Sequence, residues 1–172
     1  MLRHTWIAAA VVAAGCAAPP QGLSDAGAIR DPGRIPQMYI DAYRNGDAQA
    51  IASLFAADAT FIPLLPMARF VGQEPVRAYY QRAISNSKSR NITPSNELVQ
   101  DYGDVIVRTS DIVIDQETLD GRKLATPARV TFVYRRGRDG WHIVHHHQSV
   151  RPAPPPAATQ PAAPANPVPV SR

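Results

Sequence analysis

The chain has 172 residues, with 18 Lys+Arg against 14 Asp+Glu, 45% hydrophobic residues and a single cysteine. That length fits one domain with tails, and a lone Cys excludes an internal disulfide framework and a Cys-rich zinc site. Between residues 35 and 151 there are 14 basic and 12 acidic side chains, an excess too small and too scattered for a nucleic-acid footprint.

Residues 1–15 read as an export signal. Arg3 supplies the positive start, and residues 6–14 form an apolar run too short to span a bilayer. The run ends in Ala13-Ala14-Gly15-Cys16, which resembles a bacterial lipobox with Ala13 where leucine is usual. We expect lipidation at Cys16 and a periplasmic, membrane-anchored address; the alternative is a simple cleaved signal. Residues 16–34 read as a flexible tether. Residues 152–172 hold 8 of the 17 prolines and almost no large apolar side chain. A segment of that composition buries too little surface to offset chain entropy, so a disordered tail is expected.

The segment between them, 35–151, reads as one α+β domain. Ile35, Met38, Tyr39, Ala42 and Tyr43 have helical spacing, with Pro36 suited to a first turn. Asn45-Gly46-Asp47 ends that helix and starts a second, lined by Ala48, Ile51, Leu54 and Phe55. Residues 58–64 read as a strand. A third helix opens at Gly72-Gln73-Glu74-Pro75 and carries the stripe Val76, Tyr79, Tyr80, Ala83, Ile84. Four strands follow, over residues 92–99, 105–114, 128–136 and 141–150, with turn signals at Gly103-Asp104, Asp120-Gly121 and residues 137–140. The order helix, helix, strand, helix, four strands predicts a curved antiparallel sheet wrapped around helices on one side, with room for a cavity.

Four of the five histidines fall between residues 141 and 148. Consecutive strand residues point to opposite faces, so His145, His146 and His147 cannot converge on one ion, and no metal site is expected. An unbroken hairpin register puts Val130, Phe132 and Tyr134 with Ile143, His145 and His147. It puts Arg129, Thr131 and Val133 with Val144, His146 and Gln148. A one-residue bulge would exchange one set.

Two stretches resemble a known group. Residues 47–61, DAQAIASLFAADATF, resemble the opening of SnoaL-like, nuclear transport factor 2-like domains. RVTFVYRR from Arg129 and DGWHIVHHHQS from Asp139 resemble the close of the SgcJ/EcaC-like family and of the calcium/calmodulin-dependent protein kinase II association domain. The resemblance implies a cone-like, cystatin-like α+β fold that is dimeric through its sheet face, with a pocket between helices and sheet. The kinase association domain lines that pocket with arginines; Thr131 and Gln148 stand at the aligned positions here. The superfamily hosts isomerases, cyclases, oxidoreductases and non-enzymes, so fold alone assigns no chemistry.

The expected pocket is therefore Arg129, Thr131, His146, Gln148 and Tyr43. A buried arginine needs a partner: Asp41 or Glu97 within the chain, or a bound anion. His146 is the candidate acid or base, and Gln148 an orienting amide. Neither closing strand has an internal Asp or Glu, and no hydrolase or dinucleotide motif is present, so no cofactor is expected. The favoured reading is an exported, non-catalytic module that binds a small, partly apolar molecule, neutral or anionic, and dimerises through its sheet. One alternative is a small isomerase, cyclase or oxidoreductase using His146 with Arg129 holding an oxyanion. Another is a structural envelope lipoprotein acting through its Pro-rich tail.

Overall fold

Asp31 accepts from the Gly33 amide at 2.8 Å and so caps a 3-10 turn over Pro32–Arg34. The computed structural model describes residues 28–64 and 69–151. The export signal with Cys16, most of the tether and the tail beyond Arg151 lie outside the described residues.

Helix α1 (Ile35–Asn45) buries Ile35, Tyr39, Ala42 and Tyr43 of the stripe that spacing predicts, with Ile40 in place of Met38, which is exposed. Gly46 ends it at φ +75, where L side chains are strained, and the Asp47 amide reaches back to the Ala42 carbonyl at 2.8 Å. Asp47 then caps α2 (Ala48–Ser53) by accepting from the Ala50 amide at 2.8 Å. Strand β1 (Phe55–Ile62) and the two-residue β2 (Phe70–Val71) precede α3 (Gln73–Ser85). The strands β3 (Ser87–Asp101), β4 (Val105–Thr118), β5 (Lys123–Gly137) and β6 (Gly140–Val150) complete the chain.

The six strands form one sheet in the order β2-β1-β6-β5-β4-β3. It is antiparallel throughout except between β1 and β6, which run parallel. That parallel pair and β2 are additions to the order read from sequence. Three helices pack on one face, over a core that includes Phe55, Phe61, Phe132, Tyr134 and Ile143. Gly140 lies at φ +110 where the backbone of Ile29 crosses; a Cβ there would sit 2.8 Å from Ile29 atoms. The Trp141 amide donates to the Ile29 carbonyl at 2.8 Å, so the N-terminal segment is stitched to the hairpin. Among the described residues no helix is long and apolar enough to cross a membrane.

The β5–β6 hairpin closes Gly137 onto Gly140 and Arg136 onto Trp141, as expected, but its register breaks. Tyr134 pairs with Ile143 and Val133 with His145, which leaves Val144 as the extra residue of a bulge. Beyond the bulge every β6 side chain changes face. Phe132 is opposite His146 and Val130 opposite Gln148, all turned toward the helices. Thr131 is opposite His147 and Arg129 opposite Ser149, all turned away.

Candidate functional site

A cavity of about 380 Å³ opens between α1, α3 and the inner face of the sheet. Tyr39 and Tyr43 enter it from successive turns of α1, and Tyr79 and Tyr80 from α3. Gln116 comes from β4 and Gln148 from β6. Aliphatic side chains such as Ile92 and Ile114 and the small polar Asn86, Ser87, Thr118 and Thr126 complete the wall, and among the described residues no Asp, Glu, Lys, Arg or His lines it.

The phenols are linked. The Tyr39 and Tyr80 hydroxyls lie 2.5 Å apart. The Gln148 amide points its Nε2 at the Tyr39 oxygen over a long 3.5 Å. Gln116 Nε2 donates to the Tyr43 hydroxyl at 2.9 Å. Two phenols have two hydrogens, and their mutual bond uses one. One hydrogen of the Tyr39–Tyr80 pair and that of Tyr43 therefore have no acceptor among the described residues. Burial, the largest cause, pushes the Tyr43 phenol up to about 12, with the neighbouring Tyr79 phenol adding to it. Burial likewise raises the Tyr39 and Tyr80 phenols well above the ordinary phenol value. At neutral pH all three are protonated, so the wall offers hydrogen-bond donors and no base. Arg90 lies just behind, but its guanidinium is spent on Ser87 Oγ at 3.0 Å and the Ser87 carbonyl at 2.8 Å, at the end of α3.

Of the five expected pocket residues, Tyr43 and Gln148 are on this wall. Arg129 and Thr131 are not: the Val144 bulge leaves them on the outer face while His146 and Gln148 turn inward. Thr131 and Gln148 therefore do not share a face. The Arg129 side chain is 62% exposed and donates from Nε to Asp111 Oδ1 at 3.0 Å. Neither Asp41 nor Glu97 is its partner; they pair with Arg44 at 3.0 Å and Arg108 at 2.7 Å. Asp111, whose side chain is 9% exposed, also accepts from Arg151 and Asn96, each at 3.0 Å. Hydrogen bonds from Asn96 and then Arg129 hold its carboxyl below the usual range.

His146 is inside the protein but not on the cavity wall. It is 0% exposed and stacked between Phe132 at 4.0 Å and Phe61 at 5.1 Å, with the edge of Tyr39 at 5.6 Å. Neither ring nitrogen has a hydrogen-bond partner among the described residues. Burial holds its pKa well below the ordinary value, so the ring is neutral. An acid–base role at a bound molecule would have to act past Tyr39. Phe132 and Tyr134, on the sheet face turned toward the helices, are core. His145 and His147 are on the outer face, and no group of three His, Cys, Asp or Glu among the described residues could hold a metal ion.

Helical spacing puts Tyr39 on the stripe of α1 and Tyr79 and Tyr80 on that of α3 without assigning them to the cavity, and Gln116 is not among the expected pocket residues. The signal for Gln116 was present: it follows Ile112 and Ile114 in strict alternation, a polar side chain on an inward row.

With this arrangement in view, the comparisons are direct. A family model for the SnoaL-like domain matches residues 35–154, and the chain belongs to that family. The same fold occurs in a protein from Xanthomonas campestris provisionally named a calcium/calmodulin dependent protein kinase II association domain. It is 21% identical, with 70% of this chain and 85% of that one covered and a TM-score of 0.65. A protein from Streptomyces avermitilis provisionally named a dehydratase of the NTF2-like family is 22% identical over 70% of this chain and 94% of its own, with a TM-score of 0.63. One from Novosphingobium aromaticivorans DSM 12444, provisionally named a scytalone dehydratase, is 11% identical over 69% and 80%, with a TM-score of 0.64. No curated protein matches the sequence.

Proposed function

We propose that this SnoaL-like domain binds a small, partly apolar, uncharged molecule in the tyrosine-lined cavity and releases it unchanged. One observation carries the reading: the wall combines unspent phenolic O–H donors with mostly apolar surface and, among the described residues, no ionised group. A ketone, quinone or lactone on a ring system matches it, because its carbonyl accepts without bringing a charge that burial would penalise. An anion, left open by the sequence, loses support because the arginine meant to receive it faces the other way. Two fold neighbours have dehydratase names. Dehydration needs a group that takes a proton near neutral pH, and phenols held this high do not supply one.

The remaining features complete the proposal. The leader and Cys16 support export with a lipid anchor in the bacterial envelope. The outer sheet face, with Thr131, Val133, His145 and His147, is the surface for a second copy, consistent with a fold neighbour named for an association domain. Native mass spectrometry of the mature protein tests these points together. Incubation with bicyclic aromatic ketones, quinones and lactones should give a one-to-one adduct with at least one member, at unchanged ligand mass. The same spectra should show a dimer and the mass of acyl chains on Cys16. Conversion of the bound molecule to a new mass, or no adduct with any neutral member, would overturn the reading.

A further inference from the structure

A neutral imidazole with both nitrogens unpartnered is an unusual choice for an aromatic core. Phe or Leu would fill the position without an unmet hydrogen-bonding requirement. His146 touches Phe55 and Phe61 of β1, Phe132 of β5 and Tyr39 of α1. The one titratable side chain among these ring contacts is Tyr39, and burial keeps its phenol protonated. On its own strand the flanking His145 and His147 are the charges that bear on it, and each disfavours a second positive charge. No carboxylate is among the ring contacts. A positive charge on His146 would meet only aromatic rings, those of Phe55, Phe61, Phe132 and Tyr39. Their attraction for a cation is weaker than the hydration an imidazolium gives up on burial.

We infer that His146 is an acid-sensitive latch behind the cavity wall: neutral, it completes the cage that holds Tyr39 in place; protonated, it leaves the cage and loosens α1 from the sheet. The consequence for binding rests on the reading above, since Tyr39 is part of the cavity, but the test needs no ligand. The sign follows from linkage. In the unfolded chain the imidazole titrates near its ordinary 6.5, and in the fold it takes up a proton only at lower pH. Stability is complete above 6.5 and falls as the pH drops below it.

The experiment is urea unfolding of the full chain from pH 7.5 to 5.0, for the native protein, H146F and H146L, with H145N as the neighbour control. The native unfolding constant should rise toward tenfold per pH unit below 6.5. It should be much shallower in H146F and H146L, with a remainder left by His145, whose own pKa burial also lowers, and H145N should keep most of the native slope. If neither His146 variant folds, imidazole NMR of the native protein decides. A His146 ring that stays neutral to about pH 5 supports the latch, as does faster hydrogen exchange across α1 at pH 5 after correction for intrinsic rates. A flat native profile, an equal slope in H146F, or a His146 resonance titrating near 6.5 would overturn it.

Discussion

The two faces of the β5–β6 hairpin differ in how they treat charge. On the inner face, Phe132, Tyr134 and Ile143 surround a fully buried imidazole, and every ionisable group there is kept neutral. On the outer face, one and two residues away, Asp111 gathers Arg129, Arg151 and Asn96 in a charged network. The inner face has bulky rings packed tightly enough that each deletion leaves a hole. The outer face has long, hydrated side chains that water can replace. One sheet thus separates a neutral chamber from an ionic surface, and a single inserted residue, Val144, decides which histidine belongs to which side.

Five substitutions test that contrast. The largest loss is expected for Phe132→Ala, which removes the ring stacked at 4.0 Å on His146. Denaturant unfolding should show about 3–5 kcal/mol of destabilisation, while its neighbour Thr131→Ala, facing out, should lie within about 1 kcal/mol of native. Equal losses at the two positions would break the comparison. Next comes Tyr39→Phe, which deletes one hydroxyl of the 2.5 Å pair with Tyr80. It should cost about 1 kcal/mol and weaken a bound neutral ketone several-fold, read by the shift in thermal midpoint with ligand.

A pH-dependent effect is expected at Asp111→Asn. The native carboxyl is held low by Asn96 and Arg129, so its contribution is present at neutral pH and is lost as the pH falls below the ordinary aspartate value of 3.8. The gap in urea midpoint between native and variant should therefore be open at pH 7 and close in acid. A gap that widens in acid would contradict the network. The smallest effect is expected at Arg129→Ala. Its side chain is 62% exposed, and the change should shift stability by no more than about 0.5 kcal/mol and leave ligand affinity intact.

Local chemistry made most of the scaffold readable. Gly46-Asp47 marks a helix stop and start because only Gly takes that φ cheaply and Asp can reach the next free amide. The stripe on α3 and the β-branched closing strands showed their periods directly. The parallel contact of β1 with β6 had no local mark, because Phe61 meets His146 from 85 residues away in sequence. The bulge had none either. Val144 has neither the Gly nor the Pro that punctuates a break, and alternation alone gave the opposite face to half of β6. That is why Gln148 and Tyr43 were assigned to the cavity while Arg129 and Thr131 were wrongly grouped with them. His146 was placed inward together with an arginine that in fact faces solvent.

The most direct test of the neutral chamber is a matched titration of the purified protein with 2-acetylnaphthalene and 2-naphthoate, which differ at one substituent and in charge. The ketone should bind at least tenfold more tightly, and Tyr39→Phe and Tyr43→Phe should each erode that preference. Tighter binding of the carboxylate, or a preference that survives both substitutions and disappears in Arg129→Ala, would mean that the cavity described here is not where the molecule is held.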